Sequence, residues 1–160
     1  MAGMPSLIVL RHAKAVTGLG LADIDRPLAD RGRRDAKAAG KWLRHKGLTP
    51  DLVLCSTSVR TRETLERLAP ATDEVRFESQ IYDNDPDTLL TLVREAGDEN
   101  GTVLLIGHNP SVHQFVDDLT GDAPETFPTC ALAVIDVPGE WSDIRPGVGD
   151  LASYHTPKGH

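Results

Sequence analysis

The sequence predicts an α/β fold, a three-layer sandwich in which helices cover both faces of a central, mostly parallel sheet. Apolar segments of strand length alternate along the chain with amphipathic segments of helix length. The predicted strands are apolar at nearly every position, which is typical of parallel strands that are covered on both faces. With 160 residues, the chain is long enough for one domain over residues 1–160.

The first half of the chain predicts a strand at residues 6–10, a helix at 28–46, a strand at 51–55 and a helix at 59–68. The first of these helices carries a stripe of apolar and small residues at helical spacing and is followed by a glycine, and a proline follows the second. A short strand is predicted at residues 75–77.

The second half continues the alternation of helices and strands. A helix at residues 86–96 precedes a strongly apolar strand at 102–106, and a helix at 110–120, capped by Asn109, follows it. The terminal strands are predicted at residues 130–137 and 151–155.

Two long loops separate these elements. Residues 18–26 are too many for a tight strand-to-helix turn, so they could line a site at the end of the first strand. Residues 139–150 are rich in glycine and proline, and the sequence leaves open whether this loop is ordered and whether it shapes the site.

The composition limits the function classes. The formal net charge is -7, so broad binding to nucleic acids or to anionic membranes is not expected, and an anionic ligand needs a local cationic pocket. The two cysteines, Cys55 and Cys130, lie in or beside apolar segments, which predicts buried thiols and no disulfide. We find no secretory leader pattern and no apolar segment of membrane length, so we expect a cytoplasmic protein.

Polar side chains suited to phosphate follow three of the predicted strands. Arg11 and His12 come directly after the first strand, Arg60 lies shortly after the second, and His108 follows the strand at 102–106. Because the carboxyl ends of parallel strands meet at one edge of a sheet, we expect these side chains to converge. Guanidinium groups and helix N-termini both bind phosphate oxygens, so the sequence predicts a phosphate site at this edge.

The motifs at these strand ends resemble those of the histidine phosphatase superfamily, which has the phosphoglycerate-mutase-like fold. They are L-R-H-A-K at residues 10–14, S-x-x-x-R-T-x-x-T at 56–64 and G-H-N-P at 107–110. The short chain, with D-R-P-L at 25–28 and R-G-x-x-D-A at 31–36, is most similar to SixA-type phosphohistidine phosphatases. The resemblance covers residues 7–136, nearly the whole predicted domain.

The resemblance implies that His12 attacks phosphorus and is transiently phosphorylated, while Arg11, Arg60 and His108 hold the equatorial oxygens. Water then hydrolyses the intermediate. No metal ion and no cofactor is implied, because cationic side chains supply the charge that a loose phosphoryl-transfer transition state needs. A backbone carbonyl bonded to one ring nitrogen of His12 would leave the other nitrogen free to attack.

The candidate general acid is Asp83, because related enzymes that cleave phosphate esters often use a carboxylic acid to protonate the leaving alcohol. Imidazole has a solution pKa of ~6.5, far below that of an alcohol, and therefore leaves with less help from an acid. The favoured substrate is protein phosphohistidine. The alternatives are a small phosphate ester, cleaved with Asp83 as general acid, and a module that binds phosphohistidine without turnover.

Ser56, Asn109 and Lys14 are further candidate substrate-binding residues that have competing structural roles. Ser56 either orients Arg60 or, as we favour, caps the helix that follows it. Asn109 can bind phosphate, cap its own helix, or do both. Lys14 either draws anions to the mouth of the site or is a solvated loop charge.

The predicted helix at residues 28–46 is basic in an acidic chain. Residues 28–47 hold seven Arg and Lys against two Asp. A solvated helix face is the favoured interpretation, and a docking surface for an acidic phosphoprotein is the alternative. The expected partner is thus a phosphorylated protein or a small phosphate ester. We expect a monomer by default, while the physiological substrate and the oligomeric state stay open.

Overall fold

A computed structural model describes residues 4–157, which form a six-stranded mixed sheet flanked by four α-helices. The strands are β1 (Ser6–Arg11), β2 (Leu52–Cys55), β3 (Val75–Phe77), β4 (Thr102–Gly107), β5 (Leu132–Asp136) and β6 (Asp150–His155). The helices are α1 (Asp30–His45), α2 (Val59–Leu68), α3 (Pro86–Arg94) and α4 (Ser111–Thr120). Short 3-10 turns lie at Asp23–Asp25, Ser79–Asp83 and Trp141–Asp143. Within the described residues, no helix has the length and apolar composition to cross a membrane.

The strand order in the sheet is β3-β2-β4-β1-β5-β6. The first four strands in this order are parallel to one another, and β5 runs antiparallel to both of its neighbours. Ile106 of β4 pairs with Leu10 on one side and with Cys55 on the other, so these strands end at the same level. The predicted, mostly parallel sheet is confirmed, and the segments that follow β1, β2 and β4 lie at one edge.

Apolar side chains form a separate core on each face of the sheet. Leu7 and Val9 of β1 belong to the core that α3 and α4 cover, whereas Ile8 and Leu10 belong to the core that α1 and α2 cover. Burial on both faces explains why β1 is apolar at consecutive positions. The predicted sandwich is therefore confirmed, and every predicted boundary agrees with the structure within two residues.

The start of α4 differs from the prediction. Its first backbone N–H, that of Ser111, donates to the side-chain oxygen of Asn84 at 3.0 Å. The side-chain amide of Asn109 instead donates to the carbonyl oxygen of Phe127 at 2.8 Å, and Asn109 makes no capping hydrogen bond. The predicted cap at Asn109 is wrong because a side chain from a distant loop takes its place.

The loop over residues 139–150 packs into the core. Trp141 and Ile144 are buried, and the indole N–H of Trp141 donates to the carbonyl oxygen of Asn100 at 2.6 Å. Asn100 lies just before β4 begins, at the edge of the sheet opposite to the end of β1. This loop therefore stabilises the far end of the sheet and does not line the predicted site.

The two cysteines are buried free thiols, as predicted. Cys55 ends β2, and Cys130 lies just before β5. Burial raises the pKa of each thiol to about 12. Both thiols therefore stay protonated near neutral pH.

Candidate active site

A cleft of about 450 Å³ lies at the edge of the sheet where β1 and β4 end. Arg11, His12, Arg60 and His108 all line it, so the structure brings together the side chains that were expected to converge. The other lining residues are Lys14, Ala15, Asp23, Arg26, Tyr82, Asn84, Asn109 and Thr129.

His12 is held with one ring nitrogen bonded and the other directed to the cations. Its Nδ1 lies 2.7 Å from the carbonyl oxygen of Ala13, which can only accept, so Nδ1 carries the proton and donates. Its Nε2 accepts a long hydrogen bond of 3.4 Å from Nε of Arg60. Burial is the main cause that lowers the pKa of His12 to about 3. The ring is therefore neutral near pH 7, with a lone pair on Nε2.

The backbone beside His12 is fixed by close contacts with α1 and α2. The N–H of Ala13 donates to Oγ1 of Thr64 at 3.0 Å, and this hydroxyl donates to the carbonyl of Arg60 at 2.6 Å. On the other side, a Cβ added to Gly32 would overlap the carbonyl oxygen of Lys14. A glycine is thus required for α1 to approach the segment that follows β1.

His108 is oriented by hydrogen bonds at both ring nitrogens. Its Nδ1 accepts from Nη2 of Arg60 at 3.4 Å, so its Nε2 carries the proton and donates to Oγ of Ser56 at 2.8 Å. The rings of His12 and His108 lie 5.3 Å apart between centroids. Burial, followed by the charge of Arg60, lowers the pKa of His108 to about 4, so this imidazole is also neutral near pH 7.

Ser56 has a different role from the one favoured for it. The side chain that caps α2 is Ser58, whose Oγ accepts from the N–H of Thr61. Ser56 is fully buried and accepts from His108, so it positions this histidine. The capping prediction for Ser56 is wrong because α2 begins at Val59, so the residue directly before the helix is Ser58.

Arg60 is buried beneath a carboxylate from the loop after β1. Its Nη1 donates to the carbonyl oxygen of Asp23 at 2.7 Å, and its Nη2 forms an ion pair with Oδ2 of Asp23 at 3.0 Å. The hydroxyl of Tyr82 donates to the same Oδ2 at 2.5 Å, and Arg26 binds Oδ1 at 3.0 Å. The hydrogen bond from Tyr82 is the main cause that lowers the pKa of Asp23 to about 2, so this carboxylate is ionised near pH 7.

Arg11 and Asn109 leave polar atoms without a partner among the described residues. Both side chains donate to the carbonyl oxygen of Phe127, at 3.2 and 2.8 Å. Nε of Arg11 and Oδ1 of Asn109 are buried and make no hydrogen bond within residues 4–157. A donor left without a partner beside a cleft is suited to an incoming oxygen acceptor. Lys14 is exposed at the mouth of the same cleft.

The structure does not place Asp83 in the cleft. The side chain is exposed, whereas its neighbours Tyr82 and Asn84 line the cleft. Asp83 lies at the end of the 3-10 turn, which directs the residues on either side of it inward. The expectation that Asp83 supplies a proton inside the cleft is therefore not supported, and the carboxylate in the cleft is that of Asp23.

Six lining residues were not named as candidates, and four of them make the hydrogen bonds described above: Asp23, Arg26, Tyr82 and Asn84. Asp23 and Arg26 belong to the long loop that could line a site, so loop length was the available signal. Tyr82 and Asn84 flank Asp83 in the sequence. The 3-10 turn places their side chains in the cleft and leaves that of Asp83 outside it.

Comparisons with known proteins agree with this geometry. Residues 7–84 match the model of the histidine phosphatase superfamily (branch 1). An uncharacterized protein of Mycobacterium tuberculosis is 39% identical over 162 residues, which cover 93% of this chain and 100% of that protein. A solved structure described as a candidate SixA phosphohistidine phosphatase from Nakamurella multipartitia is 31% identical, with a TM-score of 0.90 over 98% of each chain. Its counterpart from Agrobacterium tumefaciens is 28% identical, with a TM-score of 0.82 over 97% of this chain and 100% of that chain.

The sheet, the cleft and these similarities define a phosphatase with an α/β sandwich fold. The chain belongs to the histidine phosphatase superfamily, and it is similar to SixA proteins over nearly its whole length. The family resemblance found in the sequence is confirmed.

The two carboxylates are expected to respond differently to removal of their charge. Asp83→Asn should leave kcat/KM for an aryl phosphate within about twofold, because an exposed side chain outside the cleft does not act on the leaving group. Asp23→Asn should strengthen competitive inhibition by inorganic phosphate about fivefold, because it removes a negative charge beside Arg60.

Steady-state kinetics with increasing phosphate measure both effects. An unchanged inhibition constant in Asp23→Asn, or a large loss of kcat/KM in Asp83→Asn, would contradict this arrangement of the cleft.

Proposed function

We propose that this phosphatase removes the phosphoryl group from a phosphorylated histidine side chain of a protein. The reaction passes through phosphorylated His12 and uses no metal ion. The observation that carries the proposal is the orientation of His12, whose unprotonated Nε2 faces the cationic side of the cleft while Nδ1 is bonded to a carbonyl oxygen. An imidazole held in this way is a nucleophile that needs no base to remove a proton.

The proposed first step exchanges one nitrogen–phosphorus bond for another. Nε2 of His12 gives its lone pair to phosphorus, and the bond to the substrate imidazole breaks with its electron pair returning to that ring. Because both partners are imidazoles, the transfer is close to balanced in free energy. In the second step water attacks phosphorus, the bond to His12 breaks, and inorganic phosphate leaves with the oxygen of the water.

Arg11, Arg60 and His108 are proposed to bind the phosphoryl oxygens. Arg11 is suited to this because it lines the cleft and its Nε has no hydrogen-bond partner among residues 4–157. His108 must carry a proton on Nδ1 to donate to an oxygen, and the negative charge of a bound phosphate favours that proton. Lys14 and Asn109 lie close enough to the cleft to assist. These side chains supply the charge that would otherwise come from a metal ion.

The leaving group favours phosphohistidine over an alkyl phosphate. Asp23 is the only carboxyl group that lines the cleft within the described residues, and its pKa of about 2 keeps it ionised near neutral pH. It is therefore unsuited to protonate an alcohol. An imidazole, with a solution pKa of ~6.5, is a much weaker base than an alkoxide and leaves without such a donor.

The solved structures described as candidate SixA phosphohistidine phosphatases, at 31% and 28% identity, also support this substrate. The alternative of a small phosphate ester depended on Asp83 as general acid, and this side chain lies outside the cleft. The similarity to phosphatases also favours turnover over a module that only binds phosphohistidine.

Replacement of the nucleophile is the first test. His12→Ala should lower kcat for an aryl phosphate by about 10³-fold or more, with His45→Ala, an exposed histidine of α1, as the matched control. Assays in the presence of a chelator should give the same rates.

Rapid acid-free quenching with labelled substrate should trap phosphate on the wild type and not on His12→Ala. Substantial turnover by His12→Ala, or no trapped label in the wild type, would remove His12 as nucleophile.

Substrate identity is tested with two peptides that differ only in the phosphorylated residue, phosphohistidine or phosphoserine. We expect kcat/KM for the phosphohistidine peptide to be higher by about 10²-fold or more, because only the alkoxide needs a proton donor to leave. A preference for phosphoserine would overturn the proposed substrate while leaving the phosphatase activity in place.

The pH profile tests the protonation state of His12. Protonated His12 cannot attack, and its pKa is lowered from 6.5 to about 3, so the neutral form persists as the pH falls through 6.5. kcat/KM, corrected for the ionisation of the substrate, should therefore not decrease from pH 7 down to about 5. Circular dichroism over the same range controls for unfolding. A decrease centred near 6.5 would show that the free enzyme does not hold His12 in this state.

A further inference from the structure

A second cavity, of about 500 Å³, lies beside α1, between this helix and the segments at Cys130 and His155, and is called here the α1 groove. Its lining residues are Arg34, Asp35, Ala38, Ala39, Lys41, Trp42, His45, Cys130, His155 and Pro157. Five of these come from one stripe of α1 at helical spacing: Arg34, Ala38, Lys41, Trp42 and His45. The lining combines apolar side chains, such as those of Ala38 and Trp42, with the positively charged side chains of Arg34 and Lys41.

The α1 groove is adjacent to the active-site cleft. Thr129 lines the cleft and Cys130, the next residue, lines the groove. The N–H of Cys130 donates to the carbonyl oxygens of Arg11 and His12, at 3.1 and 2.9 Å. A macromolecule that places a phosphorylated side chain over His12 can therefore reach the groove with its neighbouring surface.

The charge of the groove is opposite to that of the whole chain. Arg34 and Lys41 are exposed on its rim, whereas the formal net charge of the chain is -7. Asp35, the acidic side chain in the lining, forms an ion pair with Arg31 at 3.7 Å. A local cationic patch on an acidic protein attracts an acidic partner, whereas the net negative charge of the chain opposes association with other copies.

Trp42 gives the groove a site for an apolar side chain. Its ring stacks on His155 with 4.4 Å between centroids and 15° between planes, and the ring is only half-buried. The ammonium group of Lys46 lies 5.8 Å from the centroid of the same ring. A partly exposed tryptophan that is held in one orientation and flanked by cations is a typical anchor point of protein interfaces.

We propose that the α1 groove binds an acidic segment, carrying one apolar side chain, of the protein whose phosphohistidine enters the cleft. The inference rests on the proposed function and adds to it the chemistry of the partner. Binding at the groove would raise the affinity for the phosphoprotein without any contact to the phosphoryl group. A small phosphate ester would gain nothing from it.

The test compares hydrolysis of three probes by variants of matched charge. The probes are an aryl phosphate and two phosphohistidine peptides, of which one has glutamates and a leucine beside the phosphohistidine and the other has serines at those positions. The groove variant is Arg34→Glu with Lys41→Glu. The control variant is Arg67→Glu with Arg145→Glu, two exposed cations outside the groove and the cleft.

We expect the groove variant to raise KM for the acidic peptide about tenfold or more, with the difference shrinking at high salt. It should leave kcat/KM for the aryl phosphate and for the serine peptide unchanged, and the control variant should behave as wild type on all three probes. Unchanged KM for the acidic peptide, or an equal loss on the aryl phosphate, would overturn the proposal.

Two further outcomes separate this proposal from the proposed function. If the wild type cleaves the aryl phosphate but neither peptide, the phosphohistidine assignment fails. Calorimetric titration with the unphosphorylated acidic peptide then tests binding at the α1 groove independently of hydrolysis. Absence of binding in that titration would overturn the groove proposal. Self-association that Trp42→Ser abolishes would assign the groove to a second copy of the chain and would also overturn it.

Discussion

In the central sheet, β4 hydrogen-bonds to β1 on one side and to β2 on the other, and the three strands run in the same direction. The positions of Arg11, His12, Arg60 and His108 depend on this pairing, because it brings three chain segments, far apart in sequence, to one level. A shift of one residue in any strand would move the polar groups at its end and turn its apolar side chains to the wrong face. The apolar cores on both faces hold the strands in register, so packing of the interior determines the geometry of the site.

Arg60 connects the side chains that the sheet brings together. It bonds to both histidines through different nitrogen atoms, and its outer nitrogens bond to Asp23. This guanidinium group, together with the carbonyl oxygen of Ala13 at His12, fixes which nitrogen of each imidazole carries the proton. Burial then keeps both rings neutral, because a charged imidazole among arginines and apolar residues would be unfavourable. The result is a pair of neutral rings in a cationic cleft, an arrangement suited to a phosphoryl group.

The sequence predicts the parts of the site that are attached to strands, and it does so for a physical reason. Apolar runs define β1 and β4, and the residues that follow them, such as His12 and His108, can only lie at the edge of the sheet. Side chains on loops carry no such constraint. The place of Asp23 depends on how the loop after β1 folds back, and the outward orientation of Asp83 depends on a single 3-10 turn.

The sequence also did not predict which side chains bond at the starts of α2 and α4, where a distant side chain or a different neighbour takes the expected place. Asn109 has the residue type and position of a helix cap, but Asn84 occupies that role from another loop. Ser56 precedes α2 closely enough to cap it, yet Ser58 is the cap and Ser56 is bonded to His108. Capping preferences describe neighbours in sequence, whereas these contacts are set by the tertiary fold.

The burial of the thiols has a consequence for inactivation by oxidants. Peroxide attacks a thiolate, and phosphatases that use a cysteine nucleophile must keep one ionised. The nucleophile proposed here is an imidazole, and the sequence contains two cysteines, both buried with a pKa of about 12. Neither thiol offers peroxide an ionised sulfur, so dephosphorylation by this cleft would continue under oxidising conditions that silence cysteine-dependent enzymes.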